Sequence, residues 1–228
     1  KYLAGDRLQG TAAERAALSS DASPTWEGDF DMSNPYSNGW TAEASSKIGL
    51  DAGNNDISFN CDASGSNENL VYDLQHADAL NGSNAHATSW VLKFKVTIDT
   101  YVRTDGSGNG AFFGLGNSNS TVLTAGAQDF MGFVIWNSTN VSADQIVRTT
   151  WANNENSATN GTTIDTSTAN GDVYYVTIIR SSDTAFSVRL TSNSDYTGTT
   201  NGGYDEITNV DASGVTNLRY FKMSNYSG

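Results

Sequence analysis

Cysteine is nearly absent from this chain: Cys61 is the only one in 228 residues. No disulfide can close within it, and no conclusion about the redox compartment follows, since one thiol fits either. Two histidines, His76 and His86, with that one cysteine fall short of an ordinary zinc cage. Charge is also scarce, at 16% of residues, and it is lopsided, with 12 basic against 25 acidic side chains and a net charge of −13. Binding to phosphate polymers needs a basic stripe to displace counterions. No such run occurs in the sequence, so nucleic acid and anionic membrane are not expected partners. No stretch of 18 apolar residues exists, so no segment is expected to insert in a membrane as a helix. There is no Gly-x-Ser-x-Gly and no phosphate loop. The chain opens at Lys1 with no signal peptide, as a trimmed precursor would.

Uncharged polar residues fill the space left by these absences: 27 Ser, 25 Thr, 24 Asn and 22 Gly. Such a composition predicts many turns around a modest apolar interior. The clearest element is Val173–Thr191. Tyr174, Val176 and Ile178 alternate on one arm and Phe186, Val188 and Leu190 on the other, about a polar turn at Ser181–Thr184. This is a hairpin with one core face, which needs a second layer to cover it. In Ser89–Thr97, Trp90, Leu92, Phe94 and Val96 alternate with Val91, Lys93, Lys95 and Thr97, the pattern of a half-buried strand. Further strands are expected at 26–31, 47–50, 56–60, 69–74, 110–115, 129–136, 146–151 and 217–222, about eleven in all. Residues 153–171 read as a polar loop or weak ribbon. Residues 1–22 stand apart. Thr11-Ala12-Ala13-Glu14 is a capping box that predicts one short helix, too short to be stable undocked. The expectation is an all-β antiparallel sandwich over residues 23–228, preceded by a helical arm at 1–22. An even pairing pattern would want one further strand after the last, so an open C-terminal edge and homo-oligomerisation through it and the arm are expected.

The order of SWVLKFKVT, GNGAFFGLGNS, DFMGFVIW, VYYVTIIRSSDTAFSVRL and NLRYFKMSN resembles the concanavalin A-like lectin/glucanase superfamily, and within it the laminin-G-like modules of microbial and viral surface proteins. The resemblance spans roughly 26–225 and implies a jelly roll that binds glycan or protein, with calcium at the rim in some members. For calcium it points to Asp99, Asp105 and Asn109 in a polar loop. The superfamily's hydrolases carry an acidic strand that Glu27-Gly28-Asp29-Phe30-Asp31 mimics imperfectly, with Asp where a third Glu is usual. Its lyases end in a pattern resembled by Tyr220–Tyr226, which puts Tyr226 at the base position. Their partner signatures are missing, since Gln75 and His76 are adjacent and alternate to opposite faces. Catalysis is therefore not expected.

Sugars stack an apolar face on an aromatic ring and hydrogen-bond through their hydroxyls. Trp136 and Trp151 each close a strand with Asn close behind, so Trp136, Trp151, Asn153 and Tyr101 are the expected glycan contacts, with Trp40 a weaker candidate. Asn193–Gly198 starts like a calcium loop, but Tyr204 stands at the twelfth position, so it is no EF-hand. Six Asn-x-Ser/Thr sequons are near the number chance predicts for this composition, with Asn137 and Asn140 the most accessible pair. The function expected is glycan recognition or adhesion at an extracellular, cell or virion surface, without catalysis. The alternative is a structural protomer that binds other copies of itself in a filament, sheath or virion surface, and a lesser alternative is a polysaccharide hydrolase or lyase.

Overall fold

The computed structural model describes residues 40–42, 48–51, 56–59, 69–74, 90–101, 110–119, 127–137, 147–155, 159–165, 168–197 and 206–226. The expected helix at 1–22, the acidic stretch at 27–31, and Gln75, His76, His86 and Cys61 all lie outside them. Thirteen strands are described: β1 (Trp40–Ala42), β2 (Ile48–Asp51), β3 (Asp56–Phe59), β4 (Asn69–Asp73), β5 (Trp90–Thr97), β6 (Gly110–Gly116), β7 (Gln128–Trp136), β8 (Val147–Glu155), β9 (Thr159–Asp165), β10 (Val173–Arg180), β11 (Ala185–Thr191), β12 (Glu206–Asp211) and β13 (Tyr220–Tyr226). They form an antiparallel β-sandwich. A seven-stranded sheet of order β1-β4-β13-β6-β7-β8-β9 stacks on a four-stranded sheet of order β12-β11-β10-β5, and β2 and β3 pair separately.

The hairpin behaves as its alternation predicts. Tyr174, Val176, Ile178, Phe186, Val188 and Leu190 are all fully buried between the sheets. At about 2 kcal/mol each, these six contribute on the order of 10 kcal/mol before entropy is counted. Tyr174 is tolerated there because its hydroxyl donates to Asp165 Oδ2 at 2.8 Å and lies 2.8 Å from Thr168 Oγ1. In β5, Val91, Lys93, Lys95 and Thr97 are exposed while Leu92, Phe94 and Val96 are half-buried against the core. Within the expected loop or ribbon at 153–171, β9 pairs with Val147–Trp151 of β8, and Glu155 at the end of β8 pairs with Gln128 of β7. β1 and β12 have no strong pattern of their own and are held by β4 and β11.

The expected open C-terminal edge is corrected by the topology. β13 pairs with β4 on one side and β6 on the other, which makes it an interior strand. Its neighbour β7 goes further, with every residue from Gln128 to Trp136 buried. Met131, Phe133 and Ile135 face the inter-sheet core. Phe130, Val134 and Trp136 face the other way and form a second cluster with Phe112 and Ala152. Lys222, on the same outer side, is fully buried, and its Nζ donates to Gln128 Oε1 at 2.7 Å and Ser118 O at 3.2 Å.

β6 and β7 approach most closely at the directly paired Gly114 and Gly132. A Cβ on Gly114 would sit 2.2 Å from Met131 O, and one on Gly132 2.0 Å from Phe113 O. Neither backbone oxygen can move without breaking the ladder. Gly114→Ala or Gly132→Ala should therefore cost about 3 kcal/mol in chemical denaturation. Gly171→Ala, where φ is +87° with nothing within 4 Å, should cost only about 1 kcal/mol. Equal losses at the three positions would refute the close-approach reading.

Candidate binding surfaces

Trp136 is not an exposed platform. It is 8% exposed, its ring lies over Gly110 and stands edge-on to Phe112 at 5.8 Å, and β7 buries both of its faces. Trp151 is more open than Trp136. It is half-buried on the core side, its ring packs over Gly161, and it meets Phe186 edge-on at 6.5 Å. The two tryptophans do not share a site. Trp151 pairs with Met131, five residues and so about 17 Å of strand from Trp136.

Tyr101 and Asn153 hold structure together. The Tyr101 hydroxyl donates to Trp136 O at 2.6 Å, and its backbone N–H donates to Asn170 Oδ1 at 2.5 Å. Asn153 Nδ2 donates to Ser213 O at 2.8 Å and packs against Gly214. Of the expected calcium ligands, Asp99 is exposed just after β5, and Asp105 and Asn109 lie outside the described residues. Among the described residues no group of three or more His, Cys, Asp or Glu converges. Asn137 is half-buried, whereas Asn140 and Trp40's side chain lie outside what is described. For the lyase-like pattern, the Tyr226 backbone pairs with Gly110.

One end of the sandwich is closed by a buried polar clamp that the sequence did not disclose. Asp129 is 5% exposed. Its Oδ1 accepts from the Asn154 N–H at 2.8 Å, and its Oδ2 accepts from the Thr216 N–H at 2.8 Å and the Thr216 hydroxyl at 3.2 Å. Its own N–H donates to Asn117 Oδ1 at 2.9 Å. Arg180, in line with the core face of β10, donates to Ser182 O, Asp183 O and Val215 O at 2.8–2.9 Å. Burial lowers the Arg180 guanidinium's pKa, and Asp183 and Asp129 oppose that shift. Asp129→Ala would leave two part-buried backbone N–H groups without acceptors, at about 1–3 kcal/mol each. The expected result is a loss of about 3–5 kcal/mol in stability, with hydrogen-exchange protection of the Asn154 and Thr216 amides lost first. Unchanged protection would refute the clamp.

The outer face of the four-stranded sheet is the strongest candidate surface. Registry puts Lys95, Tyr175 and Thr191 in one row across β5, β10 and β11, and Lys93, Thr177 and Arg189 in the next. Tyr196 returns from the loop after β11 and sets its ring edge-on to Tyr175 at 5.4 Å, with Lys93 Nζ 5.4 Å from its centroid. Its φ is +61°, a conformation that is uncommon for a bulky residue and costs roughly 1–3 kcal/mol. The loop overdetermines that conformation. The Tyr196 N–H donates to Asn193 O, Thr191 Oγ1 and Asn193 Nδ2 both donate to Thr197 O, and the Thr197 N–H and hydroxyl donate to Asp195 Oδ1 at 2.9 and 2.7 Å. The stretch that begins like a calcium loop thus has the Asp195 oxygen engaged by its own chain. Alternation in the sequence places Lys93, Lys95 and Tyr175 opposite the core, but nothing local says that Tyr196 comes back to them.

The chain matches no protein-family model, no curated protein and no solved structure.

The Thr197 hydroxyl and N–H hold the Asp195 carboxyl below its ordinary pKa. Its contribution to the loop is therefore complete above the unfolded carboxyl's pKa of about 3.9 and is lost as pH falls through the lower, folded value. In a carboxyl-detected NMR titration the Asp195 midpoint should fall below about 3.9, and the Tyr196 ring signals should move with it. A midpoint at or above the ordinary value would exclude this turn.

Proposed function

We propose that this chain is a non-enzymatic glycan-recognition module of an extracellular, cell or virion surface, and that it reads sugar with the outer face of its four-stranded sheet. The observation that carries this reading is Tyr196, held over the sheet in a strained backbone conformation and braced against Tyr175. Strain of this kind persists only where surrounding bonds enforce it, and it concentrates at working sites. A fixed ring on a polar face suits a sugar, whose C–H face stacks on the ring while its hydroxyls find polar neighbours. Kinship with concanavalin A-like proteins belongs to the same proposal, and two stacked antiparallel sheets support it.

Immobilised-glycan screening of the native chain beside Tyr196→Ala and Tyr175→Ala tests the reading. The native chain should bind at least one glycan, and each variant should bind it about tenfold more weakly, an effect of about 1.4 kcal/mol. Absence of any glycan binding, or native-like binding by both variants with circular dichroism unchanged, would remove it.

A further inference from the structure

We infer that the ligand of the outer sheet face is an acidic polysaccharide, one whose sugars carry carboxylate or sulfate groups. The inference rests on the glycan reading above and adds the charge of the ligand to it. Seven of the chain's basic residues fall among the described residues: Lys93, Lys95, Arg148, Arg180, Arg189, Arg219 and Lys222. Three of these serve the fold. Arg180 and Lys222 are buried and bonded to carbonyl or amide oxygens, and Arg219 is paired bidentately with Asp73. Arg148 is half-buried on β8, in the other sheet. The other three, Lys93, Lys95 and Arg189, share the face that carries Tyr175 and Tyr196, and at its β12 edge Glu206 stands level with Arg189, which leaves the two lysines as the cations with no carboxylate level with them in the register. In a chain of net charge −13, three of the seven described basic residues thus share one sheet surface with two aromatic rings.

Geometry narrows the ligand. Lys93 and Lys95 are two positions apart on one strand, about 7 Å, and Lys93 and Arg189 flank Thr177 across two strand spacings, about 10 Å. Anionic groups borne every one or two sugar rings match that spread, and Tyr196 lies within it to stack a ring. A nucleic acid carries charge far more densely, about one per 1.7 Å of duplex, and would meet the strongest repulsion from an acidic chain while finding three cations on this face among the described residues. A protein partner, including a second copy, would want an apolar interface centre. Val91, at 53%, is the exposed large hydrophobic among the described residues, too little for such a centre. Charge on the face contributes both to attraction and to steering, so the interaction should weaken steeply with salt.

The test is titration of the intact chain at low and at physiological ionic strength with polygalacturonate, dextran sulfate, a neutral dextran and single-stranded DNA, beside Lys93→Gln/Lys95→Gln and Tyr196→Phe. Both lysines are exposed, so the double variant should keep the native fold by circular dichroism. The expected result is binding to a carboxylated or sulfated polysaccharide but not to dextran or DNA. That binding should fall about tenfold or more in the double variant and survive Tyr196→Phe; the first two arms distinguish carboxylate from sulfate. Equal binding of dextran, unchanged in the double variant, would overturn the acidic ligand and keep the glycan reading. Binding to no glycan would overturn both. DNA binding as tight as the glycan's, or self-association by light scattering that the double variant abolishes, would overturn the inference in favour of a general polyanion or of a second copy.

Discussion

A buried carboxylate must have its hydrogen bonds met from within the protein, and Asp129 is where this fold meets that demand. Three donors from two distant segments converge on it: Asn154, 25 residues on, and Thr216, 87 residues on. They tie the end of β8 and the loop before β13 to β7. That loop in turn lends Val215 O to Arg180 at the root of the hairpin turn. β13 can then run between β4 and β6 as an interior strand. Leaving these groups unpaired in a low-dielectric interior would cost more than the clamp itself contributes.

From that end, the sandwich builds outward by alternation. Strands with one apolar face, such as β5 and β10, have an inside and an outside, and the two faces can be read in order along the chain. β7 is different because it is buried on both. Phe130, Val134 and Trp136 belong to a second cluster that no period-2 pattern distinguishes from a solvent face with aromatic residues. A tryptophan at a strand end followed by asparagine reads alike whether it is a platform or a wedge. Trp136 is a wedge over Gly110.

The candidate surface shows the same division. Lys93, Lys95 and Tyr175 were already opposite the core by count, and antiparallel pairing of the hairpin brings Arg189 level with Lys93 across Thr177. Tyr196 completes the face from a loop whose course depends on the Asp195–Thr197 turn and on Thr191. A count of basic residues along the chain saw no stripe because the cations lie on separate strands, and only pairing aligns them.

The amino-acid sequence alone determined the all-β character, the hairpin and its six core residues, and the two faces of β5. These are local properties, since a side-chain period of two is written into neighbouring residues and survives any arrangement of the sheets. Only the tertiary structure decided that β13 is interior, that β7 is buried twice, that Asp129 is enclosed and that Tyr196 lies beside Lys93. Each of these depends on pairing between residues far apart in sequence or on what covers a second face. Such contacts arise from the closing of layers, which no local pattern specifies.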